Sequence, residues 1–472
     1  MLSAIRIWTR RFLLPLMLSS LLPLVSYAQG LPSTVRPGAV SSDPAWKAGE
    51  PAPKSWIDPA TGHRVVRLTD EPNSESFYFN VNGYTPDGRQ MAYTTRDGIY
   101  VIDLKTWKTH RVVNGHVRAI QVGFKTSNVF YVKFEGEPPT NGSRESWLTA
   151  KRAIYATDID TGKTRKLIDL PPRTTVSTIN ADGTLAAGTY IEGNPGDLPY
   201  TGRPTVSKRA TSQTSPGIQP LHKGEMMERR LAAHLPMVLF VIDLRTGKMR
   251  TLLHSTDWIN HMLFSPTDPH LLLYCHEGPW QKVDRIWTIH TDGTHNMLIH
   301  KRTMLMEIAG HEFWGHDGRT IWYDWQTPKG EDFWLASYNV DTGRRVAYHM
   351  QRNEWGIHFN VSRDKSLFCD DGGDPGQVAR AKDGEWIELL HPQMITGKGA
   401  LNQPDFVQPG VFHAEHLVNM STHNYRLEPN VSFTPDTKWI IFRSNMFGPT
   451  YVFAVEIAKA GSPNNDGESA NH

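Results

Sequence analysis

The sequence predicts an all-β protein, a seven-bladed β-propeller whose ring is closed by an N-terminal strand that completes the last blade. Three observations predict it. A turn with hairpin chemistry recurs seven times, at Tyr84-Thr-Pro-Asp87-Gly88, Phe124-Lys-Thr-Ser-Asn128, Ile179-Asn-Ala-Asp182-Gly183, Phe264-Ser-Pro-Thr-Asp268, Trp314-Gly-His-Asp317-Gly318, Val361-Ser-Arg-Asp364 and Phe433-Thr-Pro-Asp436. Four of the six intervals between these turns span 40–55 residues, the period of a four-stranded blade that must stack on neighbours to bury both faces. Finally, His63-Arg-Val-Val-Arg-Leu-Thr69 matches only the outer strand of a blade. Beside Tyr451-Val-Phe-Ala-Val455 it would remove an open sheet edge.

The elements follow in order. Arg6, Arg10 and Arg11 precede an apolar run from Phe12 to Val25, and Ser26-Tyr27-Ala28 places small residues at a cleavage site. Residues 1–28 therefore read as a signal peptide, and the product as exported, periplasmic or secreted, with no stable membrane insertion once the peptide is removed. Residues 29–54 read as a flexible tether, 55–459 as the propeller and 460–472 as a disordered tail. Each turn leads into strands such as Gln90-Met-Ala-Tyr-Thr94 and Trp439-Ile-Ile-Phe442, then a second type such as Ile99-Tyr-Val-Ile-Asp-Leu104 and Leu239-Phe-Val-Ile-Asp-Leu244. Two long intervals read as inserts over one mouth of the ring: Glu192–Leu235, with a short helix at Glu225–Ala233, and Asp370–Asn424.

Charge and cysteine content narrow the function. Fifty Lys and Arg against 48 Asp and Glu leave a net charge of +2, which supplies no global field for nucleic acid. Two cysteines exclude a disulfide framework and a cysteine-rich zinc module. An anionic partner must be met by a local site, and the inner strands offer one. Three positions before each turn stand Val81, Gln121, Val176, His261, His311, His358 and Asn430. Three histidines and an asparagine at one register form a polar wall on one side of the channel. Beside it, Cys275-His276-Glu277-Gly278-Pro279-Trp280 places a histidine at a strand end, suited to a divalent metal. In the last blade Glu428 and Asn430 are two apart on a strand and can face the channel together, with His423 nearby.

These residues resemble the oligogalacturonate lyase family. The match is carried by Trp56-Ile-Asp-Pro-Ala-Thr-Gly62, Asn260-His261, Cys275-His276-Glu277-Gly278-Pro279, His311-Glu312-Phe313-Trp314 and His358, and it covers nearly all of the chain after the signal peptide. The resemblance implies a seven-bladed propeller that cleaves short oligogalacturonates, acidic oligosaccharides, by β-elimination with a bound Mn²⁺. It implies His261 as the base, Arg230 as a supporting cation and His276 as a metal ligand. Where the family carries Gln-x-x-His-Pro-His-Pro, this chain has Tyr425-Arg-Leu-Glu428-Pro429-Asn430-Val431. The expected metal set is thus His276, Glu428, Asn430 and His423, and the oxygens of Glu428 and Asn430 suit Mn²⁺ or Ca²⁺. His311, His358, Tyr425 and Gln121 are expected to meet the substrate. Two alternatives stand beside this reading: a lyase acting on a different glucuronate-containing glycan, and a non-catalytic glycan-binding or scaffold propeller.

Overall fold

The computed structural model describes residues 50–139, 144–193, 223–375, 383–397 and 405–461. The expected signal peptide, nearly all of the expected tail and most of Glu192–Leu235 lie outside these residues. The described residues form strands arranged in six sheets. The first four sheets each take four consecutive strands in meander order, beginning at Glu75–Ser76, Arg118–Val122, Thr175–Ile179 and Trp258–Phe264. The fifth is eight-stranded, and its halves begin at Ile308–Trp314 and Phe359–Val361. The halves are joined by parallel pairing of Arg345–His349 with the start of Val407–Asn419. The sixth sheet holds Ser432–Phe433, Trp439–Ser444 and Tyr451–Lys459, and beside the last of these lie His63–Arg67 and then Ser55–Ile57.

Alternation explains why these sheets stack. Successive side chains of a strand point to opposite faces, and the middle strands are apolar on both. Along Met237–Asp243, Phe240 and Ile242 pack toward the second sheet, while Met237, Leu239 and Val241 pack toward the fourth. Each fully buried side chain of this kind contributes roughly 1.5–3 kcal/mol. Comparable clusters lie between first and second sheets, between the fourth and the eight-stranded sheet, between the latter's two halves, and between it and the last sheet. Another joins Ile441, Val452 and Ala454 of the last sheet to Met91, Tyr93 and Ile102 of the first. The arrangement is propeller-like.

The predicted turns form as hairpins. Asp87 Oδ1 accepts from the Thr85 hydroxyl at 2.7 Å and from Arg89 N at 3.0 Å, and Gly88 takes the left-handed conformation at φ +73°. Asp436 repeats the device with Thr434 and Lys438. The helix expected at Glu225–Ala233 spans Lys223–Ala233. Among the described residues no helix is long and apolar enough to cross a membrane.

One expectation is corrected. The interval Asp370–Asn424 is not an insert over the mouth, because it contains Trp386–Met394 and Val407–Asn419, which pair antiparallel and complete the second half of the eight-stranded sheet. They lack the Ile-Asp-Leu found at 102–104 and 242–244 and the Asp-Thr-Gly found at 160–162 and 341–343. Their strand conformation is set by pairing with Phe368–Asp370 and Arg345–His349.

The N-terminal segment is held firmly. Val65 stands opposite Val455, both fully buried, His63 Nδ1 lies 2.9 Å from Glu456 O, and Trp56 meets Phe447 and Phe453 edge-on. Deleting residues 50–69 bares the ladder edge of Tyr451–Lys459. Light scattering of the purified variant is expected to show aggregation, whereas deleting 29–49 should leave both solubility and melting temperature unchanged.

Candidate active site

The inner-strand register is shaped by backbone as well as side chain. His261, His311 and Asn430 adopt the left-handed conformation, with φ +45°, +47° and +56°. In the strands of His261 and His311 the pairing slips at these positions, between Asn260 and Leu263 and between Gly310 and Phe313. Left-handed non-glycine residues cost about 1–3 kcal/mol each and persist where the surroundings hold them, as β-bulges that re-aim a side chain do. Gly310 is required for a further reason: a Cβ there would lie 2.6 Å from the Trp280 ring, which packs over the strand just before His311.

The three histidines and the asparagine of the register are each paired with a charged residue on, or just past, the next strand. His261 Nε2 lies 3.3 Å from Glu277 Oε2, His311 Nδ1 3.4 Å from Asp324 Oδ1, and His358 Nδ1 2.8 Å from Asp371 Oδ2. Asn430 breaks the series, since its partner is Arg443. With the amide oriented to satisfy its neighbours, Asn430 Oδ1 accepts from Arg443 Nε at 3.0 Å and Nη2 at 2.6 Å. The imidazoles lie close together. The His311 and His358 rings are 5.3 Å apart, and Tyr78 stands 5.2 Å from His358 and 6.2 Å from His261. Phe79 stacks on His358 at 4.5 Å and also lines a cavity of about 530 Å³ at the turn end of the sheets.

Glu277 and Asp371 are buried and strongly held. Burial alone would raise the Glu277 carboxyl, yet His261, Arg285 and Asn260 outweigh it and hold it well below the usual carboxylate range. Arg285 is itself buried and stacks on Trp280 at 4.4 Å. Burial would lower its guanidinium, but Cys275, Glu277, Glu312 and Asp324 raise it instead. Asp371 is a hub. Its Oδ2 takes His358 Nδ1 and Asn430 N (3.0 Å), its Oδ1 takes His358 N (2.9 Å), and its carbonyl takes the Tyr425 hydroxyl (3.2 Å).

The remaining predicted site residues fall elsewhere. His276 is on the strand face opposite Glu277, its Nδ1 2.8 Å from Asp257 Oδ2 and its ring 5.2 Å from Trp287. His423 spends both nitrogens on Ser444 Oγ (2.9 Å) and Leu427 O (2.6 Å), and burial lowers it to about 4. Glu428 is the predicted ligand that reaches the imidazoles, its Oε2 3.9 Å from His358 Nε2. Tyr425 is buried and supports Asp371 rather than facing outward. Gln121 is buried beside the turn-end cavity, its carbonyl accepting from Thr178 and Ile179. Arg230 stacks on Trp258, the first residue of the His261 strand, at 4.9 Å, and donates to Met237 Sδ.

A model of the oligogalacturonate lyase family matches residues 219–460. The chain belongs to the oligogalacturonate lyase family. It is accordingly an oligosaccharide lyase. It is 24% identical over 416 residues to an oligogalacturonide lyase of Pectobacterium atrosepticum, covering 85% of this chain and 95% of that one. Against an oligogalacturonate lyase of Dickeya dadantii the identity is 25% over 417 residues, with 85% and 95% covered. Among solved structures, an oligogalacturonate lyase in complex with manganese superposes with a TM-score of 0.63 at 21% identity, covering 86% of this chain and 96% of that one. One from Vibrio parahaemolyticus gives 0.63 at 19% identity, covering 86% and 97%.

The residues expected to hold a metal do not fit one. His276 lies on the strand face opposite Glu277 with its Nδ1 on Asp257, His423 has no nitrogen to give, and the Asn430 oxygen is bonded to a guanidinium that would repel a divalent cation. Among the described residues no three His, Cys, Asp or Glu converge as ligands. His276→Ala is therefore expected to leave the divalent-metal content of the purified protein unchanged by elemental analysis, and a drop would place a metal on that ring.

Sequence reasoning missed Asp324, Asp371, Arg443 and Tyr78. A signal was present for three of them: Asp324, Asp371 and Arg443 each stand thirteen positions after their register partner. Tyr78 carries no comparable pattern.

Proposed function

We propose that the protein is an exported, seven-bladed propeller that cleaves uronate-containing oligosaccharides by β-elimination, leaving an unsaturated uronate end. In this reading the halves of the eight-stranded sheet are separate blades, and His63–Arg67 closes the ring by completing the last. The observation that carries the chemistry is the row of imidazoles, each backed by a carboxylate, beside the guanidinium of Arg443.

The C5 proton of a uronate is weakly acidic, because its removal puts a second negative charge beside the carboxylate. A cation at that carboxylate stabilises the enolate-like intermediate. Arg443, at the position where metal ligands were expected, supplies it. Its guanidinium is held by the Asn430 amide, Glu428 O at 2.8 Å and Glu75 Oε2 at 2.6 Å. His261 takes the proton. Glu277 accepts Nε2–H, which leaves the lone pair on Nδ1 as the acceptor, and an imidazole is the side chain suited to this near neutral pH.

One feature favours a substrate other than homogalacturonate. Tyr425, Glu428 and Asn430 replace the family's glutamine and two histidines, and Arg443 replaces the charge they would gather. A glucuronate-containing glycan is therefore tested alongside oligogalacturonate. Turnover is followed by the ultraviolet absorbance of the unsaturated product. Absence of product from every uronide would favour a binding propeller.

His261→Ala is expected to lower kcat by ~10²–10⁴-fold while substrate still binds, measured by steady-state kinetics and calorimetry. Near-normal turnover in that variant, with His311→Ala inactive, would move the base to His311. Arg443→Ala should lower kcat/KM by ~10²–10³-fold, in line with loss of one donor to a developing oxyanion, and chelator should not reproduce that loss.

A further inference from the structure

Tyr78 stands between the two best-formed parts of the site. Its hydroxyl lies 3.1 Å from His358 Nε2, and the other nitrogen of that ring lies 2.8 Å from Asp371 Oδ2. His358 and Asp371 are both fully buried, and Phe79 stacked at 4.5 Å fixes the plane of the imidazole. Asp371 is in turn anchored by the backbone N–H groups of His358 and Asn430. The half-buried Tyr78 is the outer end of this chain, and its ring is 6.2 Å from that of His261. A hydroxyl held by a buried imidazole–carboxylate pair is a proton-transfer arrangement, and a structural tie would not need its outer end next to the proposed base.

Elimination moves two protons. His261 accounts for the one leaving C5, but the departing O4 would otherwise leave as an alkoxide, a poor leaving group. We propose that Tyr78 is the proton donor to the glycosidic oxygen, positioned and resupplied by His358 and Asp371. The inference rests on the lyase reading above. In the step, the C5–H bond breaks and its proton goes to His261 Nδ1, while the C–H electron pair becomes the C4=C5 double bond. The C4–O4 bond breaks and its electron pair stays on O4. The Tyr78 O–H proton goes to O4, and Tyr78 recovers a proton from His358 Nε2, whose Nδ1–H remains on Asp371. Water at the half-buried Tyr78 returns a proton through its hydroxyl to His358 Nε2 and takes that of His261, so no other reactant is consumed. Tyr78 is the catalytic residue here, and His358 and Asp371 are positioning residues that act through it.

The two protons can be followed separately. In deuterium oxide, C5–H exchange of recovered substrate reports the base alone, and unsaturated product reports the complete elimination. Tyr78→Phe, which keeps the ring and its packing, is expected to lower product formation by ~10²–10⁴-fold while C5 exchange persists. A uronide with a phenolic leaving group at C4 should bring its turnover back to within about tenfold of the unaltered protein, since a good leaving group needs no acid. His358→Gln should show the same split to a smaller degree. The proposal is overturned if Tyr78→Phe forms product at the normal rate, if it loses exchange together with elimination, or if the phenolic substrate gives no rescue. Loss of exchange in His261→Ala, with Tyr78→Phe fully active, would keep the lyase reading and remove Tyr78 alone. An unaltered protein that neither exchanges nor eliminates on any uronide would remove both.

Discussion

The buried carboxylate of Asp371 is the contact on which the site depends. It lies just past Phe368–Asp370, yet it ties together two sheets, accepting from His358 ahead of its own sheet's inner strand and from the backbone of Asn430 ahead of the next, while its carbonyl holds Tyr425. A carboxylate removed from water costs several kcal/mol unless it is fully hydrogen-bonded. Satisfying it therefore dictates the left-handed turn of Asn430, the plane of His358 and, through His358, the direction of the Tyr78 hydroxyl. The architecture thereby converts an electrostatic requirement into the geometry of a proton-transfer chain.

The same logic repeats around one side of the molecule. Glu277, Asp324 and Asp371 stand on or just past second strands and meet His261, His311 and His358, because antiparallel pairing brings the inner position opposite a residue near the far end of the hairpin. In the last sheet the hairpin position carries Arg443 in place of a carboxylate, and its inner partner is an amide in place of an imidazole. One exchange of charge thus turns a position that could gather a cation into one that is itself a cation. Relatives with 24–25% identity share the family with this chain, and identity at that level leaves room for such a change in a few side chains.

Much of this was readable from residues in order. Pro-Asp-Gly turns spell their own conformation, since a short carboxylate bonded to the residues two before and two after it and a glycine free to take positive φ need no distant partner. The histidine register was readable because seven similar turns number the inner strands from a common origin. His276 was not, because a one-residue difference along a strand reverses the face, and only pairing with Ile259 and the Asp257 bond show which face it takes. The strands Trp386–Met394 and Val407–Asn419 were also hidden, because they lack the local turn signature and gain their conformation from neighbours far along the chain.

What the sequence by itself determined is the repeat, the turns, the apolar alternation that makes stacked sheets, and the three histidines and one asparagine at a shared register. Each is a property of residues a few positions apart, where hydrogen-bond reach and strand period act without tertiary help. Only the tertiary structure decided which charge faces each of those residues, that His423 is spent on Ser444 and Leu427, and that Tyr78 joins His358. Apart from the Leu427 carbonyl, four residues from His423, these groups stand from 13 to 280 positions apart and meet in a low-dielectric interior, where a single carboxylate or guanidinium sets the chemistry of its neighbours.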